Sequence, residues 1–303
     1  MSVVIVNPAS ASGSTGEAWP QIASDLRSQF GSFRVLFTTH RGEAAALAGE
    51  AARKGAKLII ACGGDGTVSE VANGILSSGK DVELGILPSG TGGDFRRTLE
   101  IPSRTRDAAQ VLRTGRTVRI DAGRVSFVDN NGGEAMRYFV GVASCGMSTK
   151  VIERVKADGI SFASSMLQTA MRNEAIRLVV QLDDAHDRQL TVSTLCIANA
   201  RYFGGGMKIA PDAKLTDGKF DVVSLGDLSA LKLFTSAPRV YLGSHLSMPE
   251  VSHALARKVT VRPADRGKEV ALEIDGELPG RLPATFQIIP EALRVRIGRG
   301  LHE

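Results

Sequence analysis

Up to Ile120 the chain alternates short apolar runs with amphipathic stretches. Val3 to Val6, Phe33 to Phe37, Leu58 to Ala61 and Glu83 to Leu87 have the length and apolar density of buried strands. Between them, apolar positions recur at helical spacing. Trp19, Ile22, Ala23, Leu26 and Phe30 form one such set, the Ala-rich stretch from Glu43 to Arg53 a second, and Val68, Val71, Ala72, Ile75 and Leu76 a third. Asp107 to Leu112 is a further helical stretch. Ser14 with Glu17 and Thr67 with Glu70 are spaced as capping boxes and mark two helix starts. Strand and helix in strict alternation predict a parallel, doubly wound α/β sheet, whose ligands gather beyond the carboxyl ends of its strands.

Past Ile120 the texture becomes β-rich. Thr117 to Val128 and Met136 to Cys145 read as strands joined by the turn Asp129 to Gly133. More runs follow at Ala175 to Leu182, Leu190 to Ala200, Phe220 to Leu225, Lys258 to Arg262, Val270 to Ile274, Phe286 to Ile289 and Leu293 to Ile297. This is mostly antiparallel material, so a domain boundary is expected near Ile120. Helices are predicted at Thr149 to Lys156, Phe162 to Met171 and Ala230 to His245, the last broken at Pro238.

Three loops rich in small residues follow predicted strands: Asn7 to Gly13, Gly63 to Thr67, and Pro88 to Phe95. Glycines at a helix start leave backbone N–H groups free to receive an anion and let the main chain approach a phosphate closely. Asp65 sits inside such a loop. A carboxylate beside phosphate is repulsive unless a cation intervenes, so its presence points to Mg²⁺ held through water.

Composition changes this picture little. At 303 residues two domains are expected, and the net charge of +5 is mild. No uncharged run reaches the roughly 18 residues needed to span a bilayer, and no basic segment precedes an apolar core at the N-terminus, so the expected location is the cytoplasm. Cys62, Cys145 and Cys196 lie in apolar runs and read as buried free thiols; the scattered histidines offer no zinc site.

Gly63-Gly64-Asp65-Gly66-Thr67, together with Pro88-Ser89-Gly90-Thr91-Gly92-Gly93-Asp94-Phe95, resembles the diacylglycerol kinase catalytic-domain family, which includes bacterial lipid kinases and sphingosine kinases. Asn7-Pro8, Ile120 to Gly123, Pro211 to Gly218 and Asp275-Gly276-Glu277 follow in the family's order and carry the resemblance over essentially the whole chain. One departure stands out: Gly93 occupies a position where the family commonly has Asn.

The resemblance implies transfer of the γ-phosphoryl group of ATP to a lipid hydroxyl. It implies an N-terminal α/β domain like those of NAD kinases and phosphofructokinases, residues 1–120 with a return of 290–303, and a C-terminal antiparallel β-sandwich, residues 121–289, with the site in a cleft between them. Carried over residue by residue, nucleotide contacts fall on Asn7, Pro8, Ala9, Ser10, Ala11, Thr38, Gly63, Gly64, Asp65, Gly66, Thr67, Val68, Ser69 and Thr91. Asp65, Asp94 and Asp121 match a water and Mg²⁺ network. Asp217, with carbonyls of Lys214 and Lys219, matches a second metal site; by composition alone this stretch is equally an Asx turn closed by Gly218. Asp275 matches the proposed general base, with Glu277 on the same strand face if the extended conformation continues. By composition alone Asp275-Gly276 is a turn. The implied partners are a lipid substrate at the inner membrane face, where the protein would be peripheral, and a second copy of the chain, with no nucleic acid. Tyr202 to Met207 reads either as an acyl-facing stretch or as a structural loop. A soluble NAD kinase shares the GGDGT loop but lacks the Pro88 to Phe95 loop, and a silent nucleotide-binding module would retain ATP binding without transfer.

Overall fold

A computed structural model describes residues 1–90, 92–147, 149, 175–228 and 230–298. The helices predicted at Thr149 to Lys156 and Phe162 to Met171 fall, Thr149 apart, outside the described residues. The chain divides into two compact units, Met1–Ala122 with the stretch from Pro290 onward, and Gly123–Ile289.

The first unit is built on β1 (Ser2–Val6), β2 (Arg34–Phe37), β3 (Leu58–Gly63), β4 (Glu83–Pro88) and the end of β14 (Glu277–Ile297). They lie in the order β2-β1-β3-β4-β14, every pairing parallel, with Val4 beside Val35 and Ile60, and Ile60 beside Gly85. All six residues of β3 and of β4 are buried. Such strands are covered on both faces and therefore read as continuous apolar runs, with no alternation.

Helix α1 (Ser14–Phe30) packs with α5 (Thr105–Thr114), and α2 (Glu43–Arg53) with α3 (Asp65–Ser77). The α2–α3 approach depends on small residues. A Cβ at Gly74 would lie 2.2 Å from the Ala45 carbonyl oxygen. Neither predicted capping box forms. Gly13 precedes α1, and the Ser14 hydroxyl donates back to the Ala11 carbonyl because Ala11 and Ser12 turn the chain with positive φ. At α3 the cap position is Gly64; Glu70 instead accepts the amides of Gly42 (3.0 Å) and Ala44 (3.1 Å), capping the neighbouring α2, whose own start lacks a capping side chain.

The second unit contains the end of β5 (Arg116–Asp129), β6 (Glu134–Phe139), β7 (Val142–Gly146), β8 (Ile176–Leu182), β9 (Arg188–Ala198), β10 (Phe220–Gly226), β11 (Val251–Ala256), β12 (Lys258–Pro263), β13 (Ala271–Ile274) and the start of β14. Its pairings are antiparallel and run β7-β9-β8-β12-β14-β13 back to β7, so the sheet closes on itself, and one continuous ladder surrounds the core where two stacked sheets were expected. Phe139 fills the centre, stacked on Phe220 at 5.6 Å and edge-on to Phe286 at 6.2 Å.

Two boundaries differ from the sequence expectation. Helix α6 (Ala230–Leu242) runs through Pro238 unbroken, with Ser236 and Val240 buried on either side, so packing outweighs the one hydrogen bond that proline removes. The two strands predicted after Phe286 are one, because β14 continues across Pro290 with a local kink at Glu291 (φ 51°). The three cysteines are buried free thiols; burial pushes Cys62 and Cys145 up to about 12. Tyr202 to Met207 forms a tight loop: its three glycines have positive φ, Phe203 and Met207 bridge each other, and Met207 is buried in an apolar cluster.

Candidate active site

Three loops of the first unit meet where β1, β3 and β4 end. The Asn7 amide donates to the Cys62 carbonyl (3.0 Å) and that of Ser89 to the Gly63 carbonyl (3.0 Å), extending the sheet by one residue into the loops. Asn7 Nδ2 then donates to Thr67 Oγ1 (3.1 Å), tying the first loop to the first turn of α3. Ser10 donates to the Ser89 carbonyl (2.9 Å), and the buried Thr15 hydroxyl lies 2.6 Å from that of Ser10 and 2.7 Å from that of Ser89. Thr15 had no sequence signal of its own, and Ser89 only its place in the second glycine loop. Each matters only because the sheet order puts β1 and β4 on either side of β3.

The glycines chiefly serve this loop packing. A Cβ at Gly90 would lie 2.7 Å from Gly64 Cα, one at Gly63 2.5 Å from Thr67 Oγ1, and one at Gly92 2.6 Å from Asp65 Oδ2. Gly66 differs, having nothing within 4 Å of a Cβ. Asp65 is the clamp between the loops. Its carboxylate accepts the amides of Gly93 (2.6 Å) and Phe95 (3.1 Å), and so caps the short helix α4 (Asp94–Thr98). Gly93 takes φ 74°, and a Cβ there would meet Arg96 Nε at 2.5 Å, so the arginine covers the space a residue 93 side chain would need.

The first turn of α3 leaves the amides of Asp65, Gly66 and Thr67 without an intrahelical partner, whereas that of Val68 is spent on the Gly64 carbonyl. Val68 and Ser69 have buried side chains and offer a ligand nothing but main chain. Pro8 accepts the Gly16 amide, the Ala9 amide is spent on Asn7 Oδ1, and Thr38 is buried with its amide on the Val6 carbonyl. Ala11 takes the left-handed conformation. Thr91 lies outside the described residues.

The other carboxylates are also engaged. Asp94 pairs with Arg97 at 3.0 Å. Asp121, 1% exposed, accepts the Glu291 amide (2.8 Å) and braces the kink in β14. Among the described residues no three His, Cys, Asp or Glu side chains gather as a ready metal cage. Asp65 still fits a hydrated cation, since each oxygen uses one lone pair on an amide and keeps another.

In the second unit, Asp275-Gly276 is indeed a hairpin turn. Ile274 pairs with Glu277, and both central residues have positive φ (48° and 83°), the signature of a type I′ turn. That turn also presents Asp275 in a fixed way: its carboxylate accepts the amides of Gly141 (2.9 Å) and Val140 (3.2 Å). Because the backbone reverses there, Glu277 does not continue the same face, and it pairs with Arg137 at 2.6 Å. Asp217 is exposed and accepts the Lys219 amide (3.0 Å), with Gly218 at φ 69°, which is the Asx turn; Lys214 is exposed beside it. The buried Asp221 nearby was not foreseen. Burial pushes its carboxyl up against the pull of His253 at 2.7 Å, and the charges of Asp217 and Asp212 add to the rise, so this corner carries negative charge that a cation would relieve.

The chain thus combines a parallel α/β unit, with glycine loops at its carboxyl edge, and a closed antiparallel unit. Residues 1–125 match the family described as "Diacylglycerol kinase catalytic domain", and residues 140–297 that described as "YegS C-terminal NAD kinase beta sandwich-like domain". A diacylglycerol kinase of Staphylococcus haemolyticus is 30% identical over 290 residues, covering 93% of this chain and 84% of that protein. One from Mycobacterium tuberculosis is 30% identical over 251 residues, covering 81% and 78%. A solved structure described as a putative diacylglycerol kinase from Bacillus anthracis shares the fold, with a TM-score of 0.80 at 22% identity over 99% of this chain and 96% of that one. The chain belongs to the diacylglycerol kinase family and is a kinase.

Proposed function

We propose that the protein transfers the γ-phosphoryl group of ATP to the hydroxyl of a lipid such as diacylglycerol. The observation that carries this reading is the packing of Gly90 on Gly64 with Asp65 clamped across it, which holds two glycine loops together beside the unspent amides of Asp65, Gly66 and Thr67. Those amides would receive the phosphates, with Asn7 and Thr67 fixing the adjoining loop. Mg²⁺, when bound, supplies charge neutralisation; Asp65 and Asp94 would hold it through water, and Asp217 a second ion. Asp275 is the proposed general base. Its carboxylate, oriented by two amides, would accept the lipid hydroxyl proton as the new P–O bond forms.

The proposed setting is the inner face of a membrane, with the protein peripheral and a second copy as partner; among the described residues no helix is long and apolar enough to cross a bilayer. The test is an ATP transfer assay over diacylglycerol, phosphatidylglycerol, a sphingoid base and NAD, with products resolved by mass. A phospholipid product supports the reading. Product on NAD alone, or ATP binding with no transfer to any acceptor, would sink it. Sedimentation with vesicles and by itself tests the membrane and the partner.

A further inference from the structure

Two residues before Asp275 lies a carboxylate for which neither the hairpin ladder nor the core has any need. Glu273 is 2% exposed, on a strand whose neighbours Leu272 and Ile274 fill the apolar core. A charge placed there is unfavourable unless its oxygens are matched by donors. They are. One oxygen accepts the Gly276 amide at 2.5 Å, and the other accepts the hydroxyl of Ser144, the buried residue directly opposite on β7. In a two-residue turn the amide of the second central residue has no place in the strand ladder, so Gly276 N–H needs a partner from elsewhere. Asp275 itself is held at φ 48°, unfavourable for any residue but glycine and tolerated by Asp and Asn.

The segment that receives the Asp275 carboxylate is pinned as well. Asn199, buried on the far side, donates through Nδ2 to the Val140 carbonyl (3.0 Å) and through its main-chain amide to the Gly141 carbonyl (2.9 Å). A Cβ at Gly141 would lie 2.6 Å from Asp275 Oδ1, so only glycine lets the carboxylate approach so closely. The Asp275 amide in turn donates to the Val142 carbonyl (3.0 Å).

We infer that Glu273 is a positioning residue for Asp275: its buried carboxylate, seated on Ser144, locks the Asp275-Gly276 turn and thereby sets where the Asp275 carboxylate stands. The inference rests on the proposed role of Asp275 as base. In this reading Glu273 acts on Asp275 through the turn.

The test compares Glu273→Ala, Glu273→Gln and Asp275→Asn in the full chain. Glu273→Ala is expected to lower kcat by about 10²-fold, the usual effect of a small misplacement, while KM for ATP stays within roughly twofold. Glutamine can still accept Gly276 N–H and donate to the Ser144 hydroxyl, so Glu273→Gln should restore most of the lost turnover. Hydrogen exchange followed by mass spectrometry gives a readout independent of activity: peptides covering Val140-Gly141 and Asp275-Gly276 should exchange faster in Glu273→Ala and as wild type in Glu273→Gln. Unchanged exchange in Glu273→Ala, wild-type kcat in that variant, or a Gln variant no better than Ala overturns the inference. If Asp275→Asn keeps wild-type turnover, the base assignment fails instead, and the lock is judged on exchange alone. Should Glu273→Ala not fold, Ser144→Ala removes the other half of the seat and is held to the same outcomes.

Discussion

At Gly66 stability and ligand binding pull in opposite directions. It lies in the first turn of α3 with nothing near a Cβ, so alanine there should raise the stability of the ligand-free protein by about 1 kcal/mol through helix propensity. A Cβ over the first-turn amides should also obstruct a phosphate. Gly66→Ala is therefore expected to melt a few degrees higher yet bind ATP at least about tenfold more weakly, read by thermal melting and calorimetry. Gly90→Ala behaves differently, because its Cβ would strike the Gly64 backbone. Stability and ATP binding should fall together. For Asp275 the positive φ makes alanine a poor probe, since it adds strain and strands two amides. Asparagine tolerates the conformation and keeps one acceptor oxygen, so Asp275→Asn should fold and lose about 10²- to 10⁴-fold in turnover, while near-wild-type rates would remove it as the base.

At the scale of elements, the recurring theme is a polar side chain on one element completing the end of another. Glu70 reads from sequence as the cap of its own helix, but its carboxylate serves α2. Glu70→Ala should therefore cost about 1 kcal/mol, like the loss of an ordinary cap, with the increase in amide exchange falling at Gly42 and Ala44 and sparing the start of α3. Asp65 does the same for α4. Strands β1, β3 and β4 were legible because burial on both faces imposes continuous apolar runs, and the glycine loops because turn chemistry is local. What was not legible is partner choice. Glu70 and Gly42 are separated by a helix and a strand, and no local pattern says which helix end a given carboxylate will meet.

At the scale of the whole molecule, the first unit is completed only by the last strand of the chain. Leu293, Val295 and Ile297 are buried there, and Arg296 reaches the carboxylate of Glu83 on β4 through two hydrogen bonds, 2.5 and 2.7 Å, with Thr117 as a further donor at 2.5 Å. Burial of Glu83, 4% exposed, would raise its pKa; the hydrogen bonds of Arg296 and Thr117 and the charges of Arg296 and Arg294 outweigh this and hold it below its ordinary 4.5. A depressed carboxyl contributes stability that is complete above 4.5 and lost as the pH falls through the lower folded value. Arg296→Met leaves that charge buried without its partner, and should cost about 3 to 5 kcal/mol at neutral pH. Without the guanidinium the carboxyl is held down less, so the variant should lose less further stability than the wild type as the pH falls below 4.5, which denaturant titrations at two pH values would show. A chain ending at Ile289 should lack a folded first unit altogether and show no ATP-dependent shift in melting.

Residue types within a few positions of one another were enough to mark most strands and helices of the first unit, the glycine loops and the Asp275-Gly276 turn, whereas the short helix α4 and strand β11, which lack a strong local period, went unmarked. The sequence also carried the ordered motifs by which the family is recognised. What the charged residues do depends on contacts made in the folded chain. Asp65 meets Gly93, Asp121 meets Glu291, Glu83 meets Arg296 and Glu273 meets Ser144, each pair brought together by sheet order over a separation no local period encodes. Burial sets how firmly such pairs hold, since a carboxylate taken out of water must find its donors among whatever the fold has carried there.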